Sequence, residues 1–310
     1  MTATMPPKPE PFVHPALFYR SDAEYLEGLV PFVTDGLDAG QPVAISVPGP
    51  QGRLLTDALG PAAERVHLLD MTVAGRNPGR IIAGVLRRFA DRHRDRHVRI
   101  IGEPIWPGRS ATEYPACAQH EALINAAFTG RDVTIVCPYD VAGLEASVLA
   151  DARQTHPLLW EGEQRYPSAD YAPDDVVARY NEPFQHTGDA EVHLVATAAD
   201  LSPARRRIAD RARTLGLPAA RIPDLELIAT ELAANSLQHA GAPCELRLWR
   251  ENGEIVCEAR DTGQLTDPLA GRRPAEGFSG RGLLLINDLA DLVRTHTSAQ
   301  GTTIRAYLRP

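Results

Sequence analysis

Two polar side chains one helical turn apart are the most informative feature of this sequence. Glu231 and Asn235 lie in the segment 231–240, Glu-Leu-Ala-Ala-Asn-Ser-Leu-Gln-His-Ala. Residues four apart project from the same face of a helix, so the carboxylate and the carboxamide stand side by side. Such a pair can hold Mg²⁺ and a nucleophile beside a phosphate chain, because Mg²⁺ binds few protein oxygens and keeps its waters. Solvated polar side chains would have the same spacing, and this helix alone leaves both interpretations open.

The helix that would carry this pair has recognisable ends and one apolar face. Pro223 suits its first turn and Gly241 suits its end. Leu225, Ile228 and Leu232 recur at spacings of three and four, which predicts the buried stripe of the helix.

Three glycine-bearing segments follow in a fixed order. Asp-Thr-Gly at 261–263 ends a predicted strand, Gly-Arg-Gly at 280–282 opens a predicted helix, and Gly-Thr-Thr at 301–303 precedes the last strand. An aspartate at a strand end can accept a hydrogen bond from an adenine amino group, and a nearby glycine lets the backbone approach the ring. Glycines before a helix leave backbone N–H groups free for phosphate oxygens. Each segment alone is weak evidence, whereas the ordered set predicts a nucleotide site.

These motifs resemble a known family. Residues 192–310 are similar to the ATP-binding domain shared by gyrases, certain chaperones, histidine kinases and MutL-type proteins (the GHKL superfamily), and within it to the anti-sigma-factor serine kinases of bacteria. The resemblance implies that Glu231 is the catalytic base, that Asn235 ligates Mg²⁺, and that Asp261 and Gly263 hold the adenine of ATP. The other implied residues border the phosphate lid or support the adenine pocket: Gly280, Arg281 and Gly282 at the lid, and Thr303 at the pocket. Leu265 departs from the family, which often has a further glycine there.

A hairpin is predicted between the motif helix and the glycine segments. Residues 244–250 and 254–260 flank Asn252-Gly253, a strong two-residue turn signal. This turn sets a register with one apolar face and one face of opposite charges. The predicted pairs are Leu246 with Ala259, Leu248 with Cys257, Glu245 with Arg260, and Arg247 with Glu258. The order of elements predicts an α+β sandwich of the GHKL type over 192–310, with helices on one face of a mixed sheet.

The first half alternates apolar strands with helical stretches, which predicts an α/β domain with a parallel sheet covered on both faces. The predicted strands are 42–47, 66–69, 98–102 and 133–137, and the helices lie near 21–39, 78–91, 115–128 and 143–154. After the first strand, Pro-Gly-Pro-Gln-Gly-Arg at 48–53 occupies the place of a phosphate loop but lacks the Gly-Lys-Ser/Thr ending. We therefore expect a degenerate phosphate loop that does not bind nucleotide.

Residues 12–180 resemble the MEDS-type sensory domain. The resemblance is carried by His-Pro-Ala-Leu-Phe-Tyr at 14–19, by Glu121 with Asn125, and by Cys-Pro-Tyr-Asp at 137–140. It implies a RecA-like fold that has become a sensor. His14, Tyr19 and Glu121 lie near predicted strand ends or element starts, where α/β folds keep their ligand crevices, and are candidate ligand residues. Local packing of His14 and solvation of Glu121 are the alternative.

Composition points to a cytoplasmic regulator. The chain has 310 residues, enough for two domains, and a net charge of −8, which argues against direct nucleic-acid binding. No apolar run approaches the roughly 20 residues of a membrane helix, and the start of the chain does not read as a signal peptide. Four cysteines without zinc-ligand spacing predict buried thiols. A Pro-, Asp- and Gly-rich stretch at 166–189 predicts a linker.

The predicted function is that of an anti-sigma-factor-type regulator under the control of a sensory domain. The resemblance implies that it binds ATP and Mg²⁺, binds a sigma factor, and phosphorylates a serine of an anti-sigma-factor antagonist, as a protein serine/threonine kinase acting in transcription regulation and stress response. The principal alternative is an ATP-dependent protein-binding switch without kinase activity, and a metabolic ATPase is a third class. A homodimer is left open.

Overall fold

The structure is a computed structural model that describes residues 12–185, 190–274 and 280–310. The chain forms two compact units. The first comprises the chain up to Gly75 together with Val85–Val177, and the second comprises Arg76–Gly84 together with Ala178–Pro310.

The first unit is built on a seven-stranded sheet in the order β3-β2-β4-β5-β1-β6-β7. All neighbouring strands are parallel except the edge strand β7, which runs antiparallel to β6. The strands are β1 Pro15–Tyr19, β2 Val43–Val47, β3 His67–Asp70, β4 Val98–Gly102, β5 Val133–Asp140, β6 Leu158–Glu161 and β7 Gln164–Pro167. The predicted parallel sheet is confirmed, and β1, β6 and β7 are additions to it. Strand β1 is buried along its whole length and lies between β5 and β6.

Helices follow the strands of this sheet, close to the predicted positions. Those of residues 12–185 are α1 Asp22–Asp38, α2 Gly49–Leu59, α3 Met71–Ala74, α4 Pro78–Arg80, α5 Arg88–Ala90, α6 Tyr114–Ala127, α7 Ala146–Thr155 and α8 Pro173–Arg179. A π-helix, Ile81–Arg87, follows α4 and precedes α5; α4 belongs to the segment Arg76–Gly84 of the second unit. The stretch at 166–189, predicted as a linker, contains the end of β7 and helix α8; residues 186–189 lie outside the described part.

The segment expected to be a degenerate phosphate loop is already helical. Pro48 precedes α2, which begins at Gly49, immediately after β2. Pro50 lies in the first turn of α2, where proline costs no hydrogen bond because that N–H would be unpaired anyway. No open loop therefore separates the strand from the helix.

The second unit packs helices on one face of a five-stranded sheet in the order β11-β12-β10-β9-β8. Its strands are β8 Glu191–Val195, β9 Cys244–Glu251, β10 Glu254–Asp261, β11 Leu292–Ser298 and β12 Gly301–Leu308, and its long helices are α9 Ala198–Thr214, α10 Ile222–Asn235 and α11 Arg281–Leu289. Every described pair in this sheet is antiparallel. The expectation of a mixed sheet was therefore wrong, because each neighbouring pair of strands in this domain runs in opposite directions.

The predicted hairpin register is confirmed pair by pair. Leu246 lies opposite Ala259 and Glu245 lies opposite Arg260. Asn252 and Gly253 have φ of 50° and 86°, the left-handed conformations that a tight hairpin turn requires. The apolar face of the hairpin joins Ile208, Leu225 and Leu232 of the helices in one core.

None of the helices in the described residues is long and apolar enough to cross a membrane.

Candidate functional site

Helix α10 positions the carboxylate–carboxamide pair by burying its opposite face. Leu225, Ile228 and Leu232 are at most 2% exposed and pack in the core. Glu231 and Asn235 are half-buried on the neighbouring face. The helix continues as a π-helical segment, Ser236–Ala240, and ends at Gly241. The wider turn of a π-helix is often found at functional sites.

The start of α11 touches this pair. A Cβ atom built on Gly282 would lie 2.7 Å from Glu231 Oε2 and 3.0 Å from Asn235 Oδ1. Only a residue without a side chain fits so close to both groups. Gly280, with φ of 80°, and Arg281 immediately precede it at the beginning of the helix. Residues 275–279 lie outside the described part of the chain. The structure therefore brings Glu231, Asn235 and Gly282 together.

The carboxylate of Asp261 is held from two sides at the end of β10. Ser236 Oγ donates to Asp261 Oδ2 at 2.5 Å, and the backbone N–H of Gly263 donates to Asp261 Oδ1 at 2.8 Å. A carboxylate oxygen accepts more than one hydrogen bond, so each oxygen keeps a free lone pair. Asp261 is thus oriented while it can still accept a hydrogen bond from a ligand.

The loop after Asp261 is held by threonine hydroxyls. Thr302 Oγ1 donates to the carbonyl oxygen of Gly263 at 2.8 Å. The backbone N–H of Leu265 donates to both Thr302 Oγ1 and Thr297 Oγ1 at 3.1 Å. These bonds order the backbone at Leu265, the residue at which the sequence departs from the pattern of the family it resembles.

Thr302, and not Thr303, faces this side of the sheet. In the antiparallel register Thr302 lies opposite Asp261 and Thr303 lies opposite Arg260. Because successive strand residues point to opposite faces, Thr303 lines a different cavity together with Arg260 and Arg305. The cavity on the side of Asp261 is therefore lined by Thr302, whereas Thr303, the residue predicted to support the adenine pocket, is not among its lining residues.

A cavity of about 650 Å³ lies between α10, the end of β10 and the start of α11. Its size is that of a small-molecule site, roughly 300–1,000 Å³. Four of the predicted residues line it: Asn235, Asp261, Gly263 and Gly280. Apolar side chains complete its wall: Leu232, Leu265, Leu269, Leu283 and Ile304. Glu231, Arg281 and Gly282 are not among the lining residues.

The site presents an unpartnered polar group beside this cavity. The Nδ2 atom of Asn235 is buried and has no hydrogen-bond partner among the described residues. A buried amide normally has partners, and one without them is a position for a ligand or ion. The amide can turn to present its oxygen, so the residue fits a role as an Mg²⁺ ligand.

The three candidate ligand residues of the first unit do not lie together. His14 Nε2 is 3.4 Å from Glu121 Oε2, and both side chains are buried. Tyr19 instead lies against Tyr25, with ring centroids 4.8 Å apart. Burial, followed by the nearby carboxylate of Glu103, raises the pKa of Tyr19 well above its usual value. His14 and Tyr19 are only five positions apart in the sequence. In the structure they lie at opposite ends of β1, because His14 precedes the strand and Tyr19 is its last residue.

Comparison with known families identifies both halves. The helix-covered antiparallel sheet with its cavity is an α+β ATPase-type domain, and residues 194–308 match the family model of the histidine kinase-like ATPase domain. Residues 13–157 match the family model of the MEDS domain, the methanogen/methylotroph, DcmR sensory domain. The chain therefore combines an N-terminal MEDS domain with a C-terminal histidine kinase-like ATPase domain.

Among solved structures, the chain is similar to the crystal structure of the RsbU and RsbW domains of a Mycobacterium tuberculosis protein. The identity is 17% and the TM-score 0.30, and the match covers 38% of this chain and 32% of that chain. The chain thus spans about a third of the structure it matches, and likeness at this level carries no argument about activity. No curated protein matches this chain.

Proposed function

We propose that the second unit binds ATP with Mg²⁺ and acts as an anti-sigma-factor-type serine kinase. The observation that carries this proposal is the convergence of Glu231, Asn235 and Gly282 beside a cavity whose far end holds the oriented carboxylate of Asp261. The family match over 194–308 supports it.

Each residue of the site has a proposed role. Asp261 accepts a hydrogen bond from the adenine amino group with a lone pair that Ser236 and Gly263 leave free. Thr302 supports the backbone beneath the adenine. When bound, ATP would supply the phosphoryl group, and Mg²⁺ would supply positive charge that neutralises part of the negative charge of the phosphates. Asn235 Oδ1 is the protein oxygen that would hold the metal.

Glu231 is the proposed general base. Its carboxylate and the amide of Asn235, which lines the cavity, both lie close to Gly282, and from there Glu231 would accept the proton of a substrate serine hydroxyl. Gly280, Arg281 and Gly282 border the phosphates, since the backbone N–H groups at the start of α11 favour negative charge.

The wider biological setting is part of the same proposal. In it, the chain is a cytoplasmic regulator that binds a sigma factor and phosphorylates a serine of an anti-sigma-factor antagonist, and the MEDS domain senses a small ligand. The N-terminal sheet is proposed to be a RecA-like relative without a phosphate loop, which is supported by the direct passage from β2 into α2.

A second candidate is an ATP-dependent protein-binding switch. It is favoured by the position of Glu231, which is in contact with the start of α11 rather than lining the cavity. In such a switch ATP would set the conformation of the domain without any phosphoryl transfer.

One experiment separates the two candidates. The full chain is incubated with labelled ATP, Mg²⁺ and a purified anti-sigma-factor antagonist, with calorimetry of ATP binding in parallel. Label on the antagonist that is lost in Glu231→Gln supports the kinase. ATP binding without transfer supports the switch, and absence of ATP binding contradicts both.

A further inference from the structure

A cluster of side chains of metal-ligating types lies in the core of the first unit, whereas the candidate nucleotide site belongs to the second unit. It is called the His-Glu-Cys-His cluster here and consists of His14, Glu121, Cys137 and His156. All four side chains are at most 1% exposed. They come from separate parts of the chain: the residue before β1, helix α6, strand β5 and the residue that ends α7.

The ligand atoms are spaced as they are around a tetrahedral metal. His14 Nε2 is 3.4 Å from both Glu121 Oε2 and Cys137 Sγ, and His156 Nε2 is 3.2 Å from Glu121 Oε2. One donor atom from each residue lies within 4.8 Å of all the others. Zinc bonds of about 2.0–2.3 Å place tetrahedral ligand atoms roughly 3.3–3.7 Å apart. The cluster is close to this geometry.

Both histidines are oriented by hydrogen bonds on their outer nitrogens. His156 Nδ1 lies 2.8 Å from the carbonyl oxygen of Ala152, an atom that can only accept. His14 Nδ1 lies 3.1 Å from Asn125 Oδ1. The Nδ2 atom of Asn125 donates to the carbonyl oxygen of Thr155 at 2.8 Å, which fixes the amide with its oxygen towards His14.

These outer bonds place the hydrogen of each neutral imidazole on Nδ1. Each Nε2 therefore turns a lone pair towards the centre of the cluster, the arrangement found in histidines that ligate metals.

The centre of the cluster then contains more acceptors than donors, because the only hydrogen there is that of the Cys137 thiol, whose sulfur lies 3.4 Å from His14 Nε2. Both carboxylate oxygens of Glu121 and the Nε2 atom of His156 are buried and have no hydrogen-bond partner among the described residues. Lone pairs that face one another across 3.2–3.4 Å repel, and a buried unpaired carboxylate is costly. A cation at the centre would remove both penalties.

We propose that the His-Glu-Cys-His cluster is a Zn²⁺ site with four protein ligands. The mixed nitrogen, sulfur and oxygen set suits zinc, which prefers tetrahedral coordination. Two neutral imidazoles, one carboxylate and one thiolate balance the charge of Zn²⁺, so the complex is neutral and can be buried without an unpaired charge. On binding, the Cys137 thiol loses its proton to solvent as the zinc–sulfur bond forms.

Four protein ligands and full burial indicate a structural site rather than a catalytic one. The metal would join the start of β1 to α6, β5 and the end of α7, elements that are far apart in the sequence. It would therefore stabilise the fold of the MEDS domain.

The test uses the full chain and two metals. Purified protein is analysed for zinc, stripped with a chelator and reloaded with Co²⁺, whose spectrum reports tetrahedral geometry and a sulfur ligand. We expect about one zinc per chain, a tetrahedral Co²⁺ spectrum with a sulfur-to-metal charge-transfer band, and a higher unfolding temperature after zinc is restored.

Variants assign the ligands. Cys137→Ser should abolish the charge-transfer band, whereas Cys257→Ser, which alters an equally buried thiol of the second unit, should leave it intact. Asn125→Ala keeps all four ligands but removes the hydrogen bond to His14, and it should weaken metal affinity by about 10- to 100-fold.

Three results would overturn the proposal. In the first, the wild-type protein neither retains zinc nor gives a tetrahedral Co²⁺ spectrum. In the others, the charge-transfer band survives in Cys137→Ser, or it is lost equally in Cys257→Ser. If Cys137→Ser fails to fold, the wild-type spectrum and the affinity of Asn125→Ala still decide the matter.

Discussion

Ser236 Oγ donates a hydrogen bond to Asp261 Oδ2 at 2.5 Å. The two residues are 25 positions apart, one in the π-helical end of the motif helix and the other at the end of β10. The bond ties the helix that carries Glu231 and Asn235 to the strand that carries the proposed adenine acceptor. It sets the distance between the two ends of the proposed nucleotide site.

Removing this bond should weaken ATP binding. Ser236→Ala leaves Asp261 held only by the N–H of Gly263, and the loss of one hydrogen bond to a charged group costs about 1.5–3 kcal/mol. Titration calorimetry with ATP and Mg²⁺ measures the change. Ser202→Ala, on the exposed face of α9, is the matched control and should bind as the wild type does. Equal affinities of the two variants would mean that Ser236 does not organise the site.

The two ends of the site should each be needed for ATP binding. Asn235→Ala removes the proposed metal ligand, and Asp261→Asn replaces the acceptor for the adenine amino group. Each should cost about 1–3 kcal/mol of binding free energy, measured by calorimetry. Asp210→Asn, an exposed change on α9, is the control. Unchanged affinity in both site variants would remove the basis of the nucleotide assignment.

Glu231 should be needed for chemistry more than for binding. A general base acts in the transition state, so Glu231→Gln should lower phosphoryl transfer by about 10²- to 10⁴-fold with little change in ATP affinity. The rate of label transfer to the antagonist measures it, with Glu226→Gln on the same helix as control. Transfer at the wild-type rate in Glu231→Gln would exclude this residue as the base.

Alanine substitutions of the adjacent residues Thr302 and Thr303 should differ in their effect on ATP affinity. Thr302→Ala removes the hydroxyl that donates to Gly263 and accepts from Leu265, so ATP affinity should fall by about 1–3 kcal/mol. Thr303→Ala changes the other face of β12 and should stay within about 0.5 kcal/mol. Calorimetry on the pair compares them directly, and the reverse order of effects would return the supporting role to Thr303.

Stability of the first unit should depend on the protonation of Glu103. Burial, followed by the carboxylate of Asp140, raises its pKa from 4.5 to about 8, although Tyr25 donates a hydrogen bond to it. Because the folded state favours the protonated form, this contribution to stability is complete below pH 4.5 and is lost as pH rises towards about 8.

The variant Glu103→Gln should lose this dependence. It cannot ionise, so its unfolding temperature should fall less than that of the wild type between pH 5 and pH 8 (roughly the interval between the two pKa values). Thermal unfolding followed by circular dichroism measures both proteins. If the unfolding temperatures of the two proteins fall in parallel with rising pH, ionisation of Glu103 does not cause the loss of stability.

Much of the fold and part of the site follow from local sequence. The hairpin register follows from Asn252-Gly253 because a two-residue turn fixes which residues oppose each other. The spacing of Glu231 and Asn235 places both on one helix face whatever surrounds the helix. The alternation of strands and helices likewise predicts a parallel sheet in the first half.

Tertiary structure decided what depends on contacts between distant segments. The sequence 301–303 contains two threonines, and only the pairing of β12 with β10 determines that Thr302 faces Asp261. Nothing in the local sequence distinguishes Ser236 from other small helical residues. Its hydrogen bond to Asp261 forms only because β10 packs against the helix. His156, which follows α7, has no distinguishing pattern in the sequence, because its proximity to His14 and Glu121 arises only when β1, α6 and α7 pack together. Local chemistry sets elements and spacing, whereas long-range packing sets which side chains meet.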